Sequence, residues 1–101
     1  MKLNKEITCK DGFIMSVQAN HGAYCRPRID NAPKYTQVEV GFPSHPEPLL
    51  FPWADDKDNP TNTVYGYVPA HRISLVCAKH GGIVSGELPA GIPMIKVNNA
   101  P

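Results

Sequence analysis

Eleven prolines fall within 101 residues, about twice the usual share. Each one fixes φ and removes a backbone donor, so no long helix or central strand can run through them. Regular structure must fit into the gaps, and much of the chain must be loop and turn. A chain of this length makes one small domain with one modest core, burying about 60–70% of its unfolded surface. That excludes a two-domain enzyme with a cleft between its halves. The hydrophobic fraction of 42% and charged fraction of 19% suit a globular protein and argue against full disorder.

Between the prolines the periodicity changes several times. Residues 4–19 read as a β-hairpin. Ile7 and Cys9 alternate with polar neighbours on one side of Asp11-Gly12, and Phe13, Met15, Val17 and Ala19 alternate on the other. Asp11-Gly12 suits a two-residue type I′ turn. In residues 35–42 the positions Thr36, Val38, Val40 and Phe42 share one face of a second extended segment. Residues 47–55 allow one or two helical turns, with Ser44 as N-cap, Leu49, Leu50 and Trp53 inward, and Pro52 limiting the length. Residues 61–68 alternate again, placing Val64, Gly66 and Val68 on one face and Tyr65 and Tyr67 on the other. Pro69 then starts a helix to about His80, with Ile73, Val76, Cys77 and His80 on one stripe and Gly81-Gly82 as the stop. The expected architecture is α+β: a small antiparallel sheet of four to five strands with one main helix packed on one face. Residues 1–82 are expected to form the domain. Residues 83–101 are expected to form an extended tail, with 92–97 as a short edge strand and 98–101 frayed.

Ten Lys and Arg against nine Asp and Glu leave a formal charge of +1, so bulk electrostatic capture of nucleic acid is not expected. No apolar run reaches the roughly 20 residues needed to span a bilayer. No apolar stretch follows Lys2 and Lys5, so neither a membrane span nor a secretory signal is expected. Three widely spaced cysteines, Cys9, Cys25 and Cys77, do not form a disulfide framework and fit a reducing cytosol.

His21-x3-Cys25 and Cys77-x2-His80 together offer two sulfurs and two nitrogens, a set that zinc accepts tetrahedrally. No CxxC knuckle accompanies them, and Cys77 falls on the apolar helix stripe, where a cysteine packs as a small hydrophobe. The expectation is therefore no metal and no cofactor. Cys25 with a histidine could form a nucleophilic pair, but no local motif surrounds it, and GxSxG, P-loop and GxGxxG motifs are absent. A non-enzymatic protein without a small-molecule substrate is expected.

Residues 20–34 connect two extended segments without periodicity, and a connection this long in so small a domain points to function. Arg26, Arg28 and Lys34 against Asp30 give a local charge of +2, since three cations face one carboxylate. His21, Tyr24 and Tyr35 flank them. Arginine and tyrosine dominate interface hot spots, arginine grips phosphate bidentately, and aromatic rings stack on bases. His21, Tyr24, Arg26, Arg28, Lys34 and Tyr35 are accordingly the partner-binding candidates. The acidic turn with Asp55, Asp56 and Asp58 is a secondary candidate for a basic partner.

The strings TCKDGFIMSVQA, YCRPR, VEVGFPS with EPLL, NPTNTVYGYVPA and AKHGG, taken as a set, resemble small phage-encoded type I anti-CRISPR proteins. The resemblance spans residues 7–82. It implies a protein of the host cytoplasm that binds the host CRISPR surveillance complex, touching its protein subunits or guide RNA. It further implies block of target DNA binding by occlusion, with no cofactor. The residue-based reading keeps an alternative open, a small zinc- or nucleic-acid-binding regulatory protein. The purified protein is expected to hold no stoichiometric zinc and to stay folded in a chelator, checked by metal analysis and circular dichroism.

Overall fold

The structure, a computed structural model, describes residues 3–93. Five strands form one antiparallel sheet: β1 (Ile7–Cys9), β2 (Ile14–Gln18), β3 (Gln37–Gly41), β4 (Val64–Pro69) and β5 (Ile83–Ser85). Their order across the sheet is β4-β3-β2-β1-β5. A 3-10 segment, Pro48–Trp53, joins β3 to β4, and the one α-helix, α1 (Ala70–Lys79), follows β4 directly. This is the expected α+β architecture with five strands. No helix among the described residues is long and apolar enough to cross a membrane.

The period-2 residues of β1 to β3 build the core. Ile7, Cys9, Met15, Val17, Val38 and Val40 are all buried. The helix lays Ile73, Val76 and Cys77 against them, and the 3-10 segment adds Leu50. Pro52 lacks the N–H that an α-helical ladder needs, which keeps residues 48–53 in the tighter 3-10 form.

Several details depart from the sequence expectation. The hairpin turn is a three-residue loop. Cys9 N–H donates to Phe13 O at 2.8 Å, Gly12 N–H donates to Cys9 O at 3.0 Å, and only Gly12 takes a positive φ, +92°. A type I′ turn needs two such residues. Here Asp11 keeps a negative φ and its carboxylate accepts from Phe13 N–H instead. Ser44 is not a helix cap: its hydroxyl and N–H bond to the backbone of Ile14, and Glu47 caps the 3-10 segment by accepting from Leu49 N–H. Phe42 is not in the core. Its φ of +48° ends the alternation at Gly41 and turns the ring out, 54% exposed. The fifth strand of the described residues falls at Ile83–Ser85, where Thr8 pairs with Ser85 and Cys9 with Ile83. Of the expected edge strand at 92–97, Ile92 is buried and 94–97 lie outside the described residues, as do 98–101.

The largest departure is in β4. Val38 pairs with Val68 and Val40 with Tyr65, so Glu39 alone faces the two residues Gly66 and Tyr67. This is a β-bulge, and Tyr67 takes a φ of +57° within it. The bulge lets Tyr65 and Val68, three positions apart, both point inward with no measurable exposure. It turns Tyr67 outward.

Because Ile73 is fully buried under α1, Ile73→Ala is expected to cost roughly 2–5 kcal/mol, read by urea unfolding.

Candidate functional site

Residues 20–34 form a tethered platform. Asn20 starts a tight turn, its carboxamide oxygen accepting from Gly22 N–H and its carbonyl from Ala23 N–H. His21 N–H and ring Nδ1 both meet the Asp30 carboxylate, at 2.9 and 3.0 Å. Those contacts, the backbone bond first, hold the Asp30 carboxyl below its usual range. Arg26 N–H donates to Gln37 O, Thr36 N–H donates to Arg26 O, and Tyr67 N–H donates to Tyr24 O at 3.0 Å. The last bond draws the platform down onto the bulge of β4. Gly66 permits that approach, since a Cβ there would sit 3.1 Å from Tyr24 Cβ.

Two tyrosines meet at this point. The rings of Tyr24 and Tyr67 are exposed, with centroids 5.9 Å apart and planes tilted by 40°. The Arg26 guanidinium lies 5.2 Å from the Tyr67 ring centre, and that of Arg28 lies 5.3 Å from Tyr24. Beside them a cleft of about 300 Å³ is lined by Tyr24, Trp53, Ala54, Asp55, Val64, Gly66 and Tyr67. A third guanidinium, that of Arg72, lies 5.3 Å from the Trp53 ring centre, with its Nε buried and without a hydrogen-bond partner among the described residues. Arg26 and Arg28 are exposed, so their N–H donors remain open to a carboxylate or phosphate. Each arginine–ring pair contributes about 0.5–1 kcal/mol at an exposed site, enough to bias rotamers in advance of binding.

The structure therefore brings together Tyr24, Arg26, Arg28 and, from the acidic turn, Asp55. The other candidates fall elsewhere or have other work. Tyr35 is a correction: it is 4% exposed, and its hydroxyl donates to Ile29 O and accepts from Ala32 N–H, so it fastens the loop from inside. His21 is tied to Asp30. Lys34 is exposed at the far end of the loop, beside Gly91. The Asp56 carboxylate accepts from Asp58 N–H and the Asn59 side chain, which makes it the organiser of its own turn, and these bonds keep its carboxyl low. Asp58 is exposed in that turn. Tyr67, Trp53 and Arg72 are the members that sequence reasoning missed. One signal was available, because an isolated glycine inside a strand pattern marks a bulge or a close backbone approach.

The residues of the zinc reading are engaged separately. Cys25 is buried, and its thiol donates to Asn20 O. Cys77 is buried against Cys9, and burial first, then Cys9, pushes its thiol up to about 12. Burial also raises Cys9. Among the described residues no group of three or more His, Cys, Asp or Glu is arranged to hold a metal ion.

A second polar cluster sits at the C-terminal end of α1. His80 Nε2 lies 2.6 Å from Glu47 Oε1, and its Nδ1 lies 2.6 Å from Asp11 Oδ2. Phe13 stacks on the ring at 4.0 Å with an 11° angle. Lys79 Nζ takes the other Glu47 oxygen at 2.8 Å. With a carboxylate on each nitrogen, the imidazole clamps the hairpin turn to the start of the 3-10 segment. Glu47 is 1% exposed. Burial works to raise its carboxyl, but Lys79, Leu49 N–H and His80 together outweigh burial and hold it low. Phe13 N–H and His80 likewise lower Asp11.

No family model matches this chain, and neither a curated protein nor a solved structure does.

Lowered carboxyls stabilise the fold above the ordinary carboxylate range, about pH 4, and that contribution drains away as pH falls through their folded values. Acid unfolding is therefore expected to begin as the clamp protonates. Glu47→Ala is expected to cost about 1.5–3 kcal/mol at neutral pH and to flatten the acid side of the stability profile, measured by urea unfolding across pH.

Proposed function

We propose that this protein is a non-enzymatic binding protein that docks through the face built from Tyr24, Arg26, Arg28 and Tyr67. The observation that carries the reading is the pair of guanidiniums held 5.2 and 5.3 Å from the centres of two exposed tyrosine rings on a tethered platform. Interface hot spots favour these two residue types, and ordering them beforehand reduces the entropy lost on binding. The resemblance to type I anti-CRISPR proteins names the partner: the CRISPR surveillance complex of the host cytoplasm, whose access to target DNA the bound protein occludes. Occlusion needs area and affinity but no cofactor, and the neighbouring Asp55 adds a negative edge that suits a mixed protein and nucleic-acid surface.

The test is a reconstituted type I surveillance complex with labelled target DNA. Saturating protein is expected to prevent DNA binding. In Arg26→Ala and Arg28→Ala each lost charge-assisted contact is expected to cost about 1.5–3 kcal/mol, or roughly 10- to 150-fold in affinity. Folding, checked by circular dichroism, changes by no more than the stacking contribution of about 0.5–1 kcal/mol per arginine. Full DNA binding in the presence of the protein would count against the proposal.

A further inference from the structure

We infer that the cleft between Tyr24, Tyr67 and Trp53 receives an unstacked base of a single nucleic-acid strand, and that Asp55 selects bases carrying an exocyclic amine. This rests on the docking face proposed above and assigns the chemistry of what it grips.

Three aromatic residues converge on one cleft of about 300 Å³. Tyr24 and Tyr67 are exposed and Trp53 is half-buried. Each carries an arginine guanidinium at 5.2–5.3 Å. Aromatic platforms rimmed by cations are what single strands require: π-faces for bases, and N–H forks for the phosphates on either side. A duplex keeps its bases stacked and offers no free face to such a cleft. An acidic peptide would satisfy the arginines but would leave the three rings without a planar partner.

Asp55 distinguishes the bases. Its N–H is held by Val64 O at 2.9 Å, which fixes the residue at the cleft wall, and no described group bonds its carboxylate. A carboxylate accepts hydrogen bonds only, so it pairs with the amine of cytosine and faces the carbonyl of uracil with mutual repulsion. It also opposes the phosphates, which fits the modest net charge of +1.

The chain has a single tryptophan, Trp53, which makes its fluorescence a reporter of this cleft alone. The probes are octacytidylate and octauridylate RNA, at about 50 mM salt and above. Octacytidylate is expected to quench Trp53 and to bind about 5-fold tighter than octauridylate. Asp55→Ala is expected to strengthen octauridylate binding and erase the preference. Arg26→Ala/Arg28→Ala is expected to lower the slope of log affinity against log salt by about 1.4, or 0.7 per phosphate. Tyr24→Ala/Tyr67→Ala is expected to weaken both strands about 10-fold or more. The two arginine and aspartate variants leave the bulge untouched, so they stand even if the tyrosine variant misfolds.

Three results would overturn the assignment: no Trp53 quenching by either strand, equal quenching by polyglutamate, or an unchanged preference in Asp55→Ala. If the strands fail while Arg26→Ala/Arg28→Ala still loses the surveillance complex, the docking face stands and its ligand is protein. If that variant also keeps the complex, both readings fall.

Discussion

Glu47 is the one buried carboxylate among the described residues, and the architecture closes around it. Its two oxygens gather Leu49 N–H, Lys79 and His80, and through His80 they reach Asp11 in the hairpin turn. The first hairpin, the 3-10 segment and the end of the helix are thus fastened at one point, although they lie 30 to 70 positions apart in sequence. A buried carboxylate without such partners would be heavily penalised, so each of these groups depends on the others being in place. In a domain of this size, with a modest core, a polar knot of this kind also fixes which packing is adopted.

The same fastening sets the stage for the docking face. The clamp secures the 3-10 segment through its N-cap, Glu47, and the last residue of that segment is Trp53. Secured at the other end by the Ala54–Tyr65 bridge, the segment presents the indole beside β4. On the opposite side of the cleft, Asn20, Tyr35 and the Tyr24–Tyr67 backbone bond hold the loop. The result is a set of loop side chains held in place by bonds to the sheet, as the proposed docking face requires.

Much of this was legible in the chain. Alternation in residues 7–18 and 37–40, the proline and diglycine that bracket the helix, and the Ile73, Val76, Cys77 stripe each follow from local chemistry, whereas Thr36, read onto the Val38 face, is exposed. The local charge and irregularity around Arg26 and Arg28 are visible along the sequence as well. What could not be read were partners across space. Tyr35 and Tyr24 have the same composition-level appearance, yet one hydroxyl is enclosed by Ile29 and Ala32 while the other ring faces solvent. Trp53 and Arg72 belong to segments read only for core packing. Alternation puts Tyr65 and Tyr67 on the same face, yet Tyr65 is buried and Tyr67 is exposed. Strict alternation cannot express a strand that contains one residue too many.

That extra residue separates two kinds of information in the gene. Residues 65 and 68 serve the core, and the outward turn of Tyr67 comes from the one position inserted between strict partners. Loss of a single codon there would restore an unbroken ladder opposite Glu39, with Tyr65 and Val68 still directed inward. The proposed docking face can thus be gained or lost by one in-frame event while the interior stays as it is. A lineage could change what the protein grips without first risking how it folds.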